Sequence, residues 1–256
     1  RAAVDGARPQ GGGVGRRRGP VSEPGPIEVI GLDGDDTLWH SESHFVDAHD
    51  RYVELLAPYV EDRSKLDAAV VATEGANLAT YGYGVKAFTL SLIETAIDLT
   101  GGRVTSTEVT AILDLGKSLL GHPVDLLDGV QETIDQMAMS GRRLIVVTKG
   151  DLFHQEAKVA GSGLADRFSR VDIVSEKDVA TYRRIITELG VEPERFLMIG
   201  NSVRSDVLPV LEIGARAVHV PYHITWEMER VEEHDADVVE LASLADVPVW
   251  LGVTTL

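Results

Sequence analysis

The 256-residue sequence contains no cysteine. That absence removes disulfides, thiolate metal sites and thiol nucleophiles together, and it fits a cytoplasmic, reducing setting. Positive charge is also scarce. Only 24 lysines and arginines face 41 aspartates and glutamates, a formal net charge of −17. Such a surface repels phosphate backbones, so a nucleic-acid polymer is not an expected partner, although one local positive pocket can still take a small anion. No apolar run approaches the ~18 residues of a membrane helix, so no membrane partner is expected either. Residues 1–25, "RAAVDGARPQGGGVGRRRGPVSEPG", have almost no large apolar side chains and lack the hydrophobic middle of a secretory signal. They read as a disordered leader outside the fold rather than as an anion-binding arm built on "GRRRG".

What remains is ordinary for a globular protein: 44% hydrophobic and 25% charged residues. Four short, β-branched-rich segments bounded by polar residues or glycine read as buried strands: 27–32, 144–148, 171–174 and 196–199, with 215–220 as a fifth. Helical patterns at 152–160, 179–189 and 203–213 lie between the later ones. Strand alternating with helix predicts an α/β fold, a doubly wound parallel sheet with right-handed crossovers. The first strand breaks the rhythm, because more than 100 residues separate it from the next. Apolar spacing there predicts helices at 45–60, 66–79, 88–99 and 107–119, and a fifth at 130–139 leading into the second strand. A structureless loop of that length is implausible, so a helical subdomain is expected at 43–125, with the α/β core made of 26–42 and 126–256.

Ligands bind beyond the carboxyl ends of the strands in such sheets. After the first strand, "EVIGLDGDDTLWHSE" crowds Asp33, Asp35 and Asp36 into four positions. Like charges that close repel, so the cluster calls for a cation or a reaction. After the other strands come Thr148 and Lys149, then Glu176 and Lys177, then Asn201, Ser202 and Asp206. Hydroxyls, lysines and acids thus converge on one edge.

Four stretches, each closing a predicted strand and in this order, carry a resemblance. They are "LDGDDTL", "IVVTKG", "SEK" and "IGNSVRSD". Together they resemble the four motifs of the haloacid dehalogenase-like superfamily, and the helical insert is similar to its C1-type cap. The resemblance implies a Mg²⁺-dependent phosphatase acting on a small phosphorylated metabolite. Asp33 would attack phosphorus and form an aspartyl-phosphate. Asp35 would protonate the leaving alcohol and then activate water. Mg²⁺ would be held by Asp33, by the Asp35 backbone carbonyl and by the fourth motif. Thr148, Lys177 and, with a helix-capping role as its alternative, Lys149 would bind the phosphoryl group. The cation would also make the carboxylate crowding tolerable. An acid at position 35 favours phosphate esters over halides, which need no proton on leaving. A phosphomutase and a catalytically inactive scaffold of the same fold are the alternatives, and the oligomeric state is left open.

The fourth motif departs from the pattern, with Asn201 where aspartate is commoner. Asn201 offers a neutral oxygen and Asp206 is the only acid of the motif, so Asp206 is the first choice for its metal ligand, with Asn201 as the alternative for the inner shell. Asp36 reads as a turn residue. His40, His44 and His49 read as surface or hinge histidines rather than a zinc cluster, and Trp39 as packing near the hinge. The segment "HVPYHITW" with His219, Tyr222 and His223 reads as rim or core. "TYGYGVKAF", with Tyr81, Tyr83 and Lys86, reads as a helix-joining loop, with Lys86 reaching an anionic substrate group as the sharper alternative.

Overall fold

The computed structural model describes residues 26–232 and 234–253, so the expected leader at 1–25 lies outside the described residues. Six parallel strands form one sheet in the order β3-β2-β1-β4-β5-β6. They are β1 (Val29–Leu32), β2 (Arg143–Lys149), β3 (Arg170–Val174), β4 (Phe196–Gly200), β5 (Arg216–His219) and β6 (Val239–Glu240). The doubly wound α/β fold expected from the alternating pattern is therefore present. β1 lacks polar alternation because it is buried on both faces. Ile30 and Leu32 pack into one apolar cluster and Val29 into the other. The two-residue β6 had no apolar signal and was not anticipated. Its two side chains are exposed, and pairing with β5 alone makes it a strand.

Four helices lie between β1 and the return to the sheet: α1 (Glu42–Leu56), α2 (Arg63–Tyr81), α3 (Val85–Thr100) and α4 (Ser106–Leu120). They share their own apolar core, in which Tyr52, Leu56, Leu66, Leu92 and Ile112 are buried. Local chemistry sets their ends. Asp62 caps α2, accepting from Ser64 and Lys65, and Thr105 with Glu108 forms a reciprocal capping box on α4. The two chain segments joining this bundle to the sheet run side by side. Trp39 pairs with Leu126, the His40 amide donates to the Asp125 carbonyl (2.9 Å) and the Leu127 amide to Leu38 (3.0 Å).

The core helices are α5 (Val130–Met139), α6 (Leu152–Gly161), α7 (Val179–Leu189), α8 (Leu208–Glu212) and α9 (Val247–Trp250). The helix expected over 203–213 starts differently. Val203–Val207 makes one wide π turn before α8, and Ser202 caps it by accepting from the Ser205 amide. That extra residue in the turn swings Asp206 back under the end of β4.

α3 and α4 approach closely at Gly116, where an added Cβ would lie 2.2 Å from Thr89 Oγ1. Thr89 is itself buried and donates to the Val85 carbonyl, so it has little room to give. Gly116→Ala should destabilise the bundle by about 1–3 kcal/mol through overpacking. Urea denaturation checks this, and adding Thr89→Ala, which removes the clashing hydroxyl, should restore part of the loss.

Candidate active site

Strand register assembles the site. Leu32 is level with Ile199 of β4 and Val146 of β2, so Asp33 and Gly200 emerge together, with Thr148 two residues further along β2. This is the point where the chain order reverses about β1, and ligands bind at such a crevice. Asp33, one residue past β1, donates its amide to the Ile199 carbonyl (2.9 Å), which fixes it beside Gly200 and Asn201.

Lys177, just past β3, is buried between two buried carboxylates. Its ammonium contacts Asp33 Oδ1 and lies 2.7 Å from Asp206 Oδ1. Burial pulls its pKa down, but Asp206 and Asp33 outweigh that and raise it. Burial and Asp206 push the Asp33 pKa up, against Lys177, because one lysine serves two acids. Asp206 is fully buried, and its other oxygen accepts the Ser202 amide (3.1 Å). A Cβ on Gly200 would fall 2.2 Å from that oxygen, so the glycine is what admits Asp206.

One terminal atom of the Asn201 amide lies 3.0 Å from Asp33 Oδ2 and 3.3 Å from the Asp35 carbonyl oxygen. As a nitrogen it donates to both. Turned over, the amide puts an oxygen at those two distances, near the ~3.0 Å separation of neighbouring ligands ~2.1 Å from a Mg²⁺ ion. The donor set therefore fits a small hard cation. Both Asp206 oxygens already have donors, so the geometry turns Asn201 rather than Asp206 toward this cage.

Asp35 faces the other way. Trp39 Nε1 (2.6 Å) and Lys158 Nζ (2.7 Å) donate to its Oδ1, and Gln155 Nε2 (2.9 Å) to Oδ2. Burial pushes its pKa up, yet Lys158, Gln155 and Trp39 prevail and lower it. Thr148 is buried with its hydroxyl beside Gly34, lining the same cavity. Lys149 is not aimed at Asp33. It contacts Glu229, Ser205 Oγ (2.9 Å) and Glu176 (3.3 Å), and it sits 4.1 Å from the centre of the Tyr83 ring. Asp36 has a left-handed φ of 61°, tolerable for aspartate, and its Oδ1 accepts the Ser41 (2.8 Å) and Glu42 amides at the start of α1. It is a turn residue, as its type suggests.

Several residues at this site had no motif to announce them. Lys158 and Gln155 share a face of α6 one turn apart, and a buried Gln155 in an amphipathic helix was the available clue. Glu229 closes a single 3₁₀ turn, Glu227–Glu229, that follows β5. It receives Lys149, Ser202 (Oγ contact) and Ser205 (2.6 Å), which hold its pKa down against burial. The histidines group otherwise than sequence proximity offered. His44 stacks on His122, with ring centres 3.8 Å apart, and His44, His122 and Asp125 bring one ligand atom each within 4.8 Å. His40 instead meets Tyr222 Oη at 2.7 Å, His49 pairs with Asp67 (3.5 Å) and His219 bonds Glu240 (2.9 Å). Trp39 packs fully buried at the hinge and also orients Asp35.

The four-helix bundle closes the crevice from above, leaving a cavity of about 460 Å³. Several polar contacts among the described residues cross it. Tyr83 donates to Glu176 (2.6 Å), Lys86 pairs with Asp151 (2.7 Å) and Trp226 hydrogen-bonds Glu74. Gly84, at φ 105°, allows the loop to reach Asp151, because a Cβ there would lie 3.0 Å from its backbone nitrogen.

A parallel sheet carrying a buried Asp–Lys–Asp trio at its switch point makes this a Rossmann-like α/β protein with its polar site at the strand ends. The family model for haloacid dehalogenase-like hydrolases matches residues 27–214, and the chain belongs to that family. It is 40% identical to a haloacid dehalogenase-like family hydrolase from Xanthomonas campestris, whose structure covers 88% of this chain and 91% of that one at a TM-score of 0.78. It is 26% identical to the phosphoglycolate phosphatase of Pectobacterium atrosepticum, over 91% of this chain and 95% of that protein. A 2-haloacid dehalogenase from Pseudomonas syringae shares the fold at 21% identity and a TM-score of 0.57, covering 88% of this chain and 98% of that one.

Asp36, Glu42 and Glu74 line the cavity with pKa values raised by burial, Asp36 to about 7, Glu42 to about 8 and Glu74 to about 7. The unfolded chain releases these protons near pH 4 to 4.5, the folded chain only near 7 to 8. Their contribution is therefore complete at the acid end of that window and lost as pH rises through 7 to 8. Melting temperature should be higher at about pH 5.5 than at about pH 8, and Glu74→Gln should narrow the gap. A Tm that climbs toward pH 8 contradicts this reading.

Proposed function

We propose that the protein is a Mg²⁺-dependent phosphatase that hydrolyses a small phosphomonoester through a phosphorylated Asp33, with helices α1–α4 as its cap. The observation that carries this reading is the arrangement around Asp33: Lys177 on one carboxylate oxygen, and the Asn201 amide, which also reaches the Asp35 carbonyl oxygen, facing the other. The relative named phosphoglycolate phosphatase, similar along nearly its whole length, supports the same reaction class. Asp33, the Asp35 carbonyl and Asn201 would hold the cation, which when bound would offset negative charge as phosphate approaches.

This chain's own residues account for the rest. An Asp33 oxygen forms a bond to phosphorus as the ester P–O bond breaks. Lys177 and the Thr148 hydroxyl neutralise and orient the phosphoryl oxygens. The leaving alkoxide takes a proton from Asp35. A water then attacks phosphorus, gives its proton to Asp35 and frees Asp33. Asp35, bound by Lys158, Gln155 and Trp39, is ready as the base. For the acid step an incoming phosphate raises its pKa by like-charge repulsion, and a monoanionic ester brings a proton with it. The cap keeps bulk water from the phosphoryl group until the alcohol has left. A carboxyl at position 35 favours this chemistry over halide displacement.

Hydrolysis of p-nitrophenyl phosphate should require Mg²⁺, cease with EDTA and fall at least ~10³-fold in Asp33→Asn. Release that survives Asp33→Asn rules out the nucleophile. Asn201→Asp adds a negative charge to the cage and should lower the Mg²⁺ concentration for half-saturation in a calorimetric titration. An unchanged titration would remove Asn201 from the inner shell.

A further inference from the structure

The cavity carries a charge pattern that bears on which phosphomonoester enters it. Carboxylates among its lining residues outnumber lysines and arginines more than two to one. Each of those cations is already engaged. Lys177 binds Asp33 and Asp206, Lys158 binds Asp35, Lys149 binds Glu229, and Arg63 binds Asp50 at 2.5 Å. Lys86, at the rim, is paired with Asp151 and lies over the Phe153 ring, 5.7 Å from its centre. Thus no lysine or arginine among the described lining residues is left to receive a second anionic group.

Glu42 and Glu74 are different. Both are half-buried in the cavity wall, one at the start of α1 and the other on α2. Glu74 accepts a hydrogen bond from the Trp226 side chain, and Glu42 feels Lys158 only at a distance, that lysine being committed to Asp35. The two glutamates also repel one another, which helps hold the Glu42 proton on. Around them the wall is apolar and aromatic. Phe45 and Phe88 meet edge to face with centres 5.1 Å apart, and Val70 and Trp226 continue the surface. Carboxylates set among aromatic faces are the chemistry that receives an alkylammonium group, by ion pairing and by attraction to ring faces. An ammonium group would draw these carboxyls into their charged form and pair with them, whereas a carboxylate in the same place would meet two acidic groups and no cation.

We propose that the alcohol half of the substrate carries a positive charge. The substrate class is then a phosphomonoester of an amino or quaternary-ammonium alcohol, with Glu42 and Glu74 as its specificity-determining residues. This inference rests on the phosphatase reading and adds the sign of the leaving group. Phosphate binds at the strand ends, on Lys177 and Thr148, and the ammonium group lies under the cap against Glu74, Phe45 and Phe88.

The test compares phosphocholine and phosphoethanolamine with phosphoglycolate, using p-nitrophenyl phosphate as a neutral-alcohol reference. Wild type should show kcat/KM at least about tenfold higher for the cationic esters than for phosphoglycolate. Glu74→Gln should erase most of that preference, read as the ratio of kcat/KM for the cationic esters to that for phosphoglycolate within the same variant. A preference for phosphoglycolate, or one unchanged by Glu74→Gln and Glu42→Gln, overturns the proposal. Calorimetric binding of phosphocholine and phosphoglycolate to Asp33→Asn protein gives a readout independent of turnover. If wild type fails on p-nitrophenyl phosphate, the phosphatase reading falls, and the binding comparison still decides the charge of the ligand. Tighter phosphocholine binding supports the inference, and tighter phosphoglycolate binding overturns it.

Discussion

The structure depends on one buried ammonium shared by two buried carboxylates. Lys177 sits between Asp33 and Asp206, on segments that follow β3, β1 and β4. A charge taken from water is costly unless paired and hydrogen-bonded, so all three are sustained only as a set. The set also needs particular backbone. Gly200 leaves space for Asp206, the π turn at Val203–Val207 swings it inward, and Ser202 donates to its second oxygen. With Asp206 saturated in this way, Asp33 keeps one oxygen free of lysine, and that oxygen faces Asn201.

The two aspartates of the first motif are separated by environment rather than by type. Asp33 is held among acids and its proton affinity rises. Asp35, two residues on, is turned toward Lys158, Gln155 and Trp39, and its proton affinity falls. Neighbouring carboxylates driven in opposite directions can take different roles. The four-helix bundle adds acidic groups to the same cavity, and burial there holds the Glu42 and Glu74 protons on while the lysines below are already paired.

Much of this was legible in the sequence. β-branched runs gave the strands, and the order of polar residues after each run placed Asp33, Thr148, Lys177 and Asp206 on one edge, because a parallel sheet delivers its carboxyl ends there. The helices at 130–139 and 179–189 matched α5 and α7, since their apolar periodicity is uninterrupted. The misses have physical causes. Residues 203–213 keep helical spacing, but the Ser202 cap and the buried Asp206 widen the first turn. β6 depends on pairing and not on composition. Lys158 and Glu229 are chosen by tertiary contact, which no local pattern encodes. The His44–His122 pair joins residues separated by most of the cap, whereas the eye groups His40, His44 and His49.

The central claim, that Asp33 is the phosphorylated nucleophile and Asp35 the base that frees it, is tested most directly by intact-protein and peptide mass spectrometry. Asp35→Asn protein would be mixed with p-nitrophenyl phosphate, whose leaving group needs no proton, and quenched in acid. The account predicts a burst of nitrophenol and one phosphoryl group on the peptide containing Asp33. Steady turnover without an adduct, or an adduct on another residue, would contradict it.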